Sequence, residues 1–308
     1  MGSATRKRPV TRPVNDLSRE QILLGDTFLN ALVANPFVGL MPDAGATNTA
    51  ATVQRRVLMR PLPQFGTINE QLVPIGYGNY KSIQMSWEKR LSGGIQMLVG
   101  YTGSRTTEAL SPLNQGEPLY EQLTSTHRPH VLRLSGAWTS PSFSTRNWAL
   151  RHIVGGWQIN TVTFFRSGVP IGMPANVDLI GDPVIKNPTT ARWFNTCTVT
   201  TTGVRQFCAN DSEQPAFRIR AENALDTTGD RLEGVMQDDP FYMDFSFFKN
   251  VRVNGRVNLQ MRVEMFNATN VVQWGTPNTT VTSANFGTIT ENQANDPRSV
   301  QLQFRISY

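Results

Sequence analysis

The sequence predicts an all-β chain, an antiparallel transmembrane barrel segment of about seven long strands. Three observations lead there. Apolar and polar residues alternate with period two along successive segments, the mark of strands with two unlike faces. Those segments run about ten residues or more, the length that crosses a bilayer at a tilt. The links between them are short and long in turn, as on a barrel with tight turns on one rim and long loops on the other.

Composition narrows the class. The 308 residues carry a net charge of +6, only 17% are charged and 39% are hydrophobic. Asn, Gln, Ser and Thr fill the polar positions instead. No apolar run approaches the ~20 residues of a spanning helix, which excludes a helical membrane protein and leaves a barrel open. Arg6, Lys7 and Arg8 are followed by Pro9-Val10-Thr11-Arg12-Pro13 rather than an apolar core, so no export signal is read in this chain. The basic residues are scattered and join no nucleic-acid motif, so no nucleic-acid partner is expected.

In chain order, residues 1–78 read as an extracellular-loop-like region with an irregular strand and a short helix. The helical spacing is Leu17, Ile22, Leu23, Phe28 and Leu32, with Asp16 as a possible cap. Barrel strands fill residues 79–308. Ile83, Met85 and Trp87 alternate with Ser82, Gln84, Ser86 and Glu88. Ser92-Gly93-Gly94 turns the chain, and Ile95, Met97, Val99 and Tyr101 continue, with Leu98 out of pattern. The segments 130–140 and 156–167 are less regular. Phe241, Met243, Phe245 and Phe247 follow, with Phe248 breaking the alternation. Asn254-Gly255 suits a tight hairpin before Val257, Leu259, Met261, Val263 and Met265. Val300, Leu302, Phe304, Ile306 and Tyr308 alternate with polar residues without an error. Aromatics near strand ends, Tyr80, Trp87, Tyr101, Trp138, Trp157, Phe165, Phe241 and Tyr308, suit interfacial girdles.

On this reading the apolar set meets lipid and the polar set, including Arg262, Glu264 and Arg305, lines the lumen, where solvation alone accounts for the charges. The bland alternative is a soluble β-sandwich, whose strands also alternate. Catalytic signatures are lacking: there is no G-x-S-x-G, H-E-x-x-H, P-loop or dinucleotide fingerprint, so no enzyme and no cofactor is expected. His127-x-x-His130 finds no further ligand cluster and reads as a polar strand entrance. Asp230, Asp238 and Asp239 read as solvated carboxylates or calcium contacts in the longest loop. Cys197 and Cys208 share that loop. They would be free thiols in a reducing compartment; outside the cell, a disulfide would restrain a segment with little core of its own.

Longer stretches resemble the Oar-like branch of TonB-dependent outer-membrane receptors. Asn79-Tyr80-Lys81-Ser82-Ile83-Gln84 with Glu88-Lys89-Arg90-Leu91-Ser92-Gly93-Gly94 is similar to that family's first landmark hairpin. His127-Arg128-Pro129-His130, Gly155-Gly156-Trp157-Gln158 and Arg166-Ser167-Gly168-Val169-Pro170 resemble further landmarks. Trp193-Phe194-Asn195-Thr196, Phe247-Phe248-Lys249-Asn250, Glu264 to Asn270 and Asp296-Pro297-Arg298 continue in the family's order. The last strand, Val300, Leu302, Phe304, Ile306 and Tyr308, resembles the signal read by the barrel insertion machinery. The resemblance implies a place in the outer membrane and a larger barrel of roughly 22 strands. It also implies a plug domain and signal peptide absent from this chain, coupling to the TonB system through that plug, and a bulky substrate. The chain would then be a C-terminal fragment unable to transport alone. Alternatives are a small barrel serving as a surface binding module or adhesin, and a secreted carbohydrate-binding sandwich.

Overall fold

The structure, a computed structural model, describes residues 1–40, 49–141, 153–253, 257–291 and 293–308. Eight long strands form one antiparallel sheet, each hydrogen-bonded to the one before it in the chain. They are β1 (Gly2–Pro13), β2 (Asn69–Ser92), β3 (Ile95–Ala109) and β4 (His130–Thr139), then β5 (Trp157–Arg166), β6 (Tyr242–Arg252), β7 (Asn258–Phe266) and β8 (Ser299–Ser307). Seven are the strands read from the alternation.

The eighth, β1, lies within residues 1–78, where an irregular strand was expected but not one joined to the barrel sheet, and β2 starts at Asn69 rather than 79. Its pairing with β2 slips at three places, and Lys7 sits at φ 57°. A bulged strand of Arg, Lys and Pro carries no period, which is why the alternation does not reveal it. The expected helix is likewise two single turns, Arg19–Ile22 and Asp26–Leu29, separated by Gly25 at φ 88°. Ser18, not Asp16, caps the first turn, in a reciprocal box with Gln21.

Register sorts the faces. Trp138, Ile159, Phe247, Val263 and Leu302 lie in one cross-strand row, and Ala137, Asn160, Ser246, Glu264 and Gln301 in the adjacent one. The apolar face is bare: Leu302, Phe304 and Ile306 are 66%, 67% and 65% exposed, and Ile83 and Met85 are 65% and 63%. Among the described residues no second sheet covers it, so the sandwich reading fails for want of a partner layer. An apolar face exposed to this extent is what lipid requires and water penalises. Phe248, the residue that broke the alternation, points to the polar face opposite Arg262 and Gln158.

Turn lengths fall as read. Gly93 and Gly94 have φ 59° and 78°, a left-handed pair that only glycine adopts without strain. The Asn254-Gly255 turn lies outside the described residues. At the opposite rim the described residues of four long links, 14–68, 110–129, 167–241 and 267–298, build a cap. Its core is Ile171, Val177, Phe194, Ala216, Phe217, Leu232, Val235, Val281 and Phe286, all buried. Phe286 meets Phe194 and Phe217 edge-to-face at 5.3 and 5.9 Å. The loop expected to have little core therefore holds the principal one. A barrel wall turns its apolar side chains outward, so conventional burial has to be found elsewhere.

Candidate functional site

The polar face of the sheet is the candidate site. Ser82, Gln84, Ser86, Thr102, Ser104 and Arg133 line a cleft of about 840 Å³ on it. Their positions alternate with the bare apolar residues, so the same pleat that exposes Met85 aims Gln84 into the cleft. Arg262 and Glu264 stand on this face 3.6 Å apart, and the Arg262 guanidinium lies 4.4 Å over the Phe248 ring. Arg305 pairs in register with Gln260 on the same face. The three residues expected to face the lumen thus share one side of the wall. The structure adds Arg133, whose row runs through Ser86, Gly100, Phe164 and Tyr242.

At the rim, cap and sheet are locked together through Asp239. Asp239 is 4% exposed and lies between two arginines. Arg166 Nε donates to its Oδ1 at 2.7 Å, and Arg128 pairs with its other oxygen. Arg128 also donates to the Ser167 carbonyl at 2.6 Å. Asp239 is therefore neither a solvated carboxylate nor a calcium contact; two guanidinium groups occupy its oxygens. Neighbouring Asp238 accepts from the Trp274 backbone N–H at 2.8 Å, and burial raises its pKa above the usual carboxylate range. Asp230 accepts from Gln122 at 3.1 Å. Next to the lock, Gly168 lies so close to the Gln237 carbonyl that a β-carbon would collide with it.

Asn267 is the equivalent tie at the last long link. It is buried, at φ 48°, its backbone N–H donates to Asp244 at 3.0 Å, and its side chain donates to the Val271 and Asp296 carbonyls. Three of the stretches that carried the resemblance, His127 to His130, Arg166 to Pro170 and Glu264 to Asn270, lie at such junctions between strand and cap. Their chemistry is structural. The histidines work separately: His127 Nδ1 accepts from the Thr106 backbone N–H at 3.2 Å, and His130 Nδ1 meets the Tyr101 hydroxyl at 2.8 Å. Burial holds the His127 pKa below the usual histidine range, which suits a ring used as an acceptor.

Two consequences can be measured. Asp239→Asn leaves Arg128 and Arg166 without their shared charge, and the cap should lose about 3 kcal/mol. Protease cleavage between residues 168 and 237 should then appear while the sheet stays folded; an unchanged digestion pattern would refute the lock. Cys197 and Cys208 are joined by a disulfide, with Cys197 fully buried. Replacing both by serine should destabilise the cap by about 2–3 kcal/mol, seen as earlier thermal exposure of Trp193. The wild-type cap should soften equally under reductant.

An antiparallel wall with one lipid-facing side, one polar side and a folded cap over a single rim defines a membrane β-barrel protein. The chain belongs to the outer membrane beta barrel domain family, whose model matches residues 1–301, and it is an outer-membrane protein. No curated protein and no solved structure was found to match it.

Proposed function

We propose that this chain is the C-terminal wall of an Oar-like, TonB-dependent outer-membrane receptor that moves a bulky substrate. The observation that carries the reading is the open sheet. Among the described residues β8 pairs with β7 alone, and β1 pairs with β2 only from Asn69 to Lys81, leaving the lower part of β2 with a free edge. Unpaired backbone in hydrocarbon costs several kcal/mol per group, and on this reading neighbouring strands of a larger receptor close the wall. The landmarks of the receptor family, in their order along the chain and with several at the junctions of strand and cap, favour strands of the same receptor. A plug would fill the polar lumen and connect to the TonB system. Val300, Leu302, Phe304, Ile306 and Tyr308 would be read by the insertion machinery, with Tyr308 fully exposed at the short-turn rim. The wall performs no catalysis and needs no cofactor; its polar face passes or holds substrate.

Outer membranes probed with an antibody against the cap test this. A single folded, heat-modifiable species far larger than 34.3 kDa is expected. Subunits of about that mass, assembled with a fixed stoichiometry, would overturn the receptor reading and support a surface module built from several copies.

A further inference from the structure

We infer that Lys81 and Arg105, on the outer face of the wall at the cap side, form a binding site for the phosphate-bearing headgroup of a membrane lipid. The two residues lie directly opposite each other on β2 and β3. Their place in the pleat is the one held by Ile83, Met85 and Trp87 further down the same strand, so they project towards lipid rather than lumen. Directly opposed side chains stand about 5 Å apart at Cβ, and like charges so placed repel. Both are exposed, and neither side chain has a hydrogen bond or ion pair among the described residues.

Position gives the partner its chemistry. Below the pair, the outward rows are Ile83 with Gly103 and Met85 with Tyr101, the latter beside Leu132 and then Phe165. Above it, the row is Asn79 with Thr107, followed by the cap. Apolar surface ends at this height and polar surface begins, which is the headgroup level of a bilayer. Tyr101, bonded to His130, marks the same boundary.

The nearby charges leave the pair undercompensated. Glu121 is close enough for both cations to favour its ionised form, yet its carboxylate accepts from Thr107 at 2.5 Å and from Asn79 at 3.2 Å. Arg6 adds a third cation, donating to Asn79 and lying 5.3 Å from the Tyr77 ring. Lys81 and Arg105 thus share one carboxylate that is already engaged, with Arg6 a third cation nearby. Lys249, on the lipid face near the opposite rim, shows the contrast: its ammonium donates to the Ile153 and Gly155 carbonyls and lies over Trp157. That cation is satisfied within the protein, whereas Lys81 and Arg105 hold their charge out at headgroup height. A phosphate between them would relieve the repulsion and accept from both, the guanidinium in bidentate fashion. This site does not depend on what the barrel transports.

The test uses protein extracted from outer membranes in mild detergent and studied by native mass spectrometry. Wild type should retain a phosphorylated lipid, and after delipidation it should bind added diphosphoryl lipid A. Lys81→Gln with Arg105→Gln should lose the retained lipid and bind the probe about fivefold more weakly for each cation removed. Arg105→Lys should retain much of the binding, and Lys89→Gln, near the other rim, should bind as wild type. Equal binding by wild type and the double variant would overturn the proposal. So would inorganic phosphate alone binding as tightly as the lipid probe, which would indicate a site for a free anion.

Discussion

Arginine in place of Leu302 is expected to cost the membrane-inserted protein about 2–4 kcal/mol, the cost of a cation at the lipid face of a barrel. Leu302 is 66% exposed and shares its row with Val263, so the new charge meets hydrocarbon and no counter-ion. Arginine in place of Gln301 should be close to neutral, because that position faces the lumen opposite Glu264. The readout is the urea midpoint of protein in vesicles, with slopes compared so that a shift reports stability. Similar losses at the two positions would show that β8 does not separate lipid from lumen. A wider gap between neighbours one residue apart is hard to obtain by any other arrangement.

Phe194→Ala should be at least as damaging, but in a different part of the molecule. Phe194 is fully buried and touches Phe217 and Phe286 edge-to-face at 6.0 and 5.3 Å. Truncation of such a ring costs about 3–5 kcal/mol through lost transfer energy and the cavity left behind. The cap should open to protease and the Trp193 emission should shift to the red, since its indole N–H now donates to the Met236 carbonyl at 2.8 Å inside the cap. The sheet should keep its heat-modifiable mobility. Simultaneous loss of cap and sheet would mean that the two are one cooperative unit.

The separation of those two effects reflects how differently they were written into the chain. Every residue of β8 and β7 could be assigned to a face from its neighbours alone, and the register sets the two groups on opposite sides of the sheet. The Gly93-Gly94 turn and the rim carrying the long loops were equally legible. Lipid on one side and a wet lumen on the other impose opposite demands on successive side chains, and a period of two is the imprint. The pattern lapses where that contrast ends. Residues 2–13 and 69–78 pair as strand beyond the apolar band, where Arg8 bonds Glu108 across the sheet at 2.8 Å and no alternation is required.

The candidate site divides in the same way. Arg262, Glu264 and Arg305 were readable because they sit on periodic strands. Asp239 was not, since its meaning comes from Arg128 and Arg166, far off in the sequence, and the only local hint was an acidic pair ahead of Pro240 at a strand entrance. Nor was the cap core, whose members from Ile171 to Phe286 obey no period.

The amino-acid order by itself thus determined the two-faced wall, the strand that ends at Tyr308 and the rim on which the long links lie, because each follows from contacts between near neighbours in the chain. Only the tertiary structure decided that those links fold into a cap with its own core, that Asp239 locks the cap to the wall, and that Lys81 faces Arg105. Each of these depends on segments brought together across long loops, and chain closure over such distances leaves no local periodicity to read.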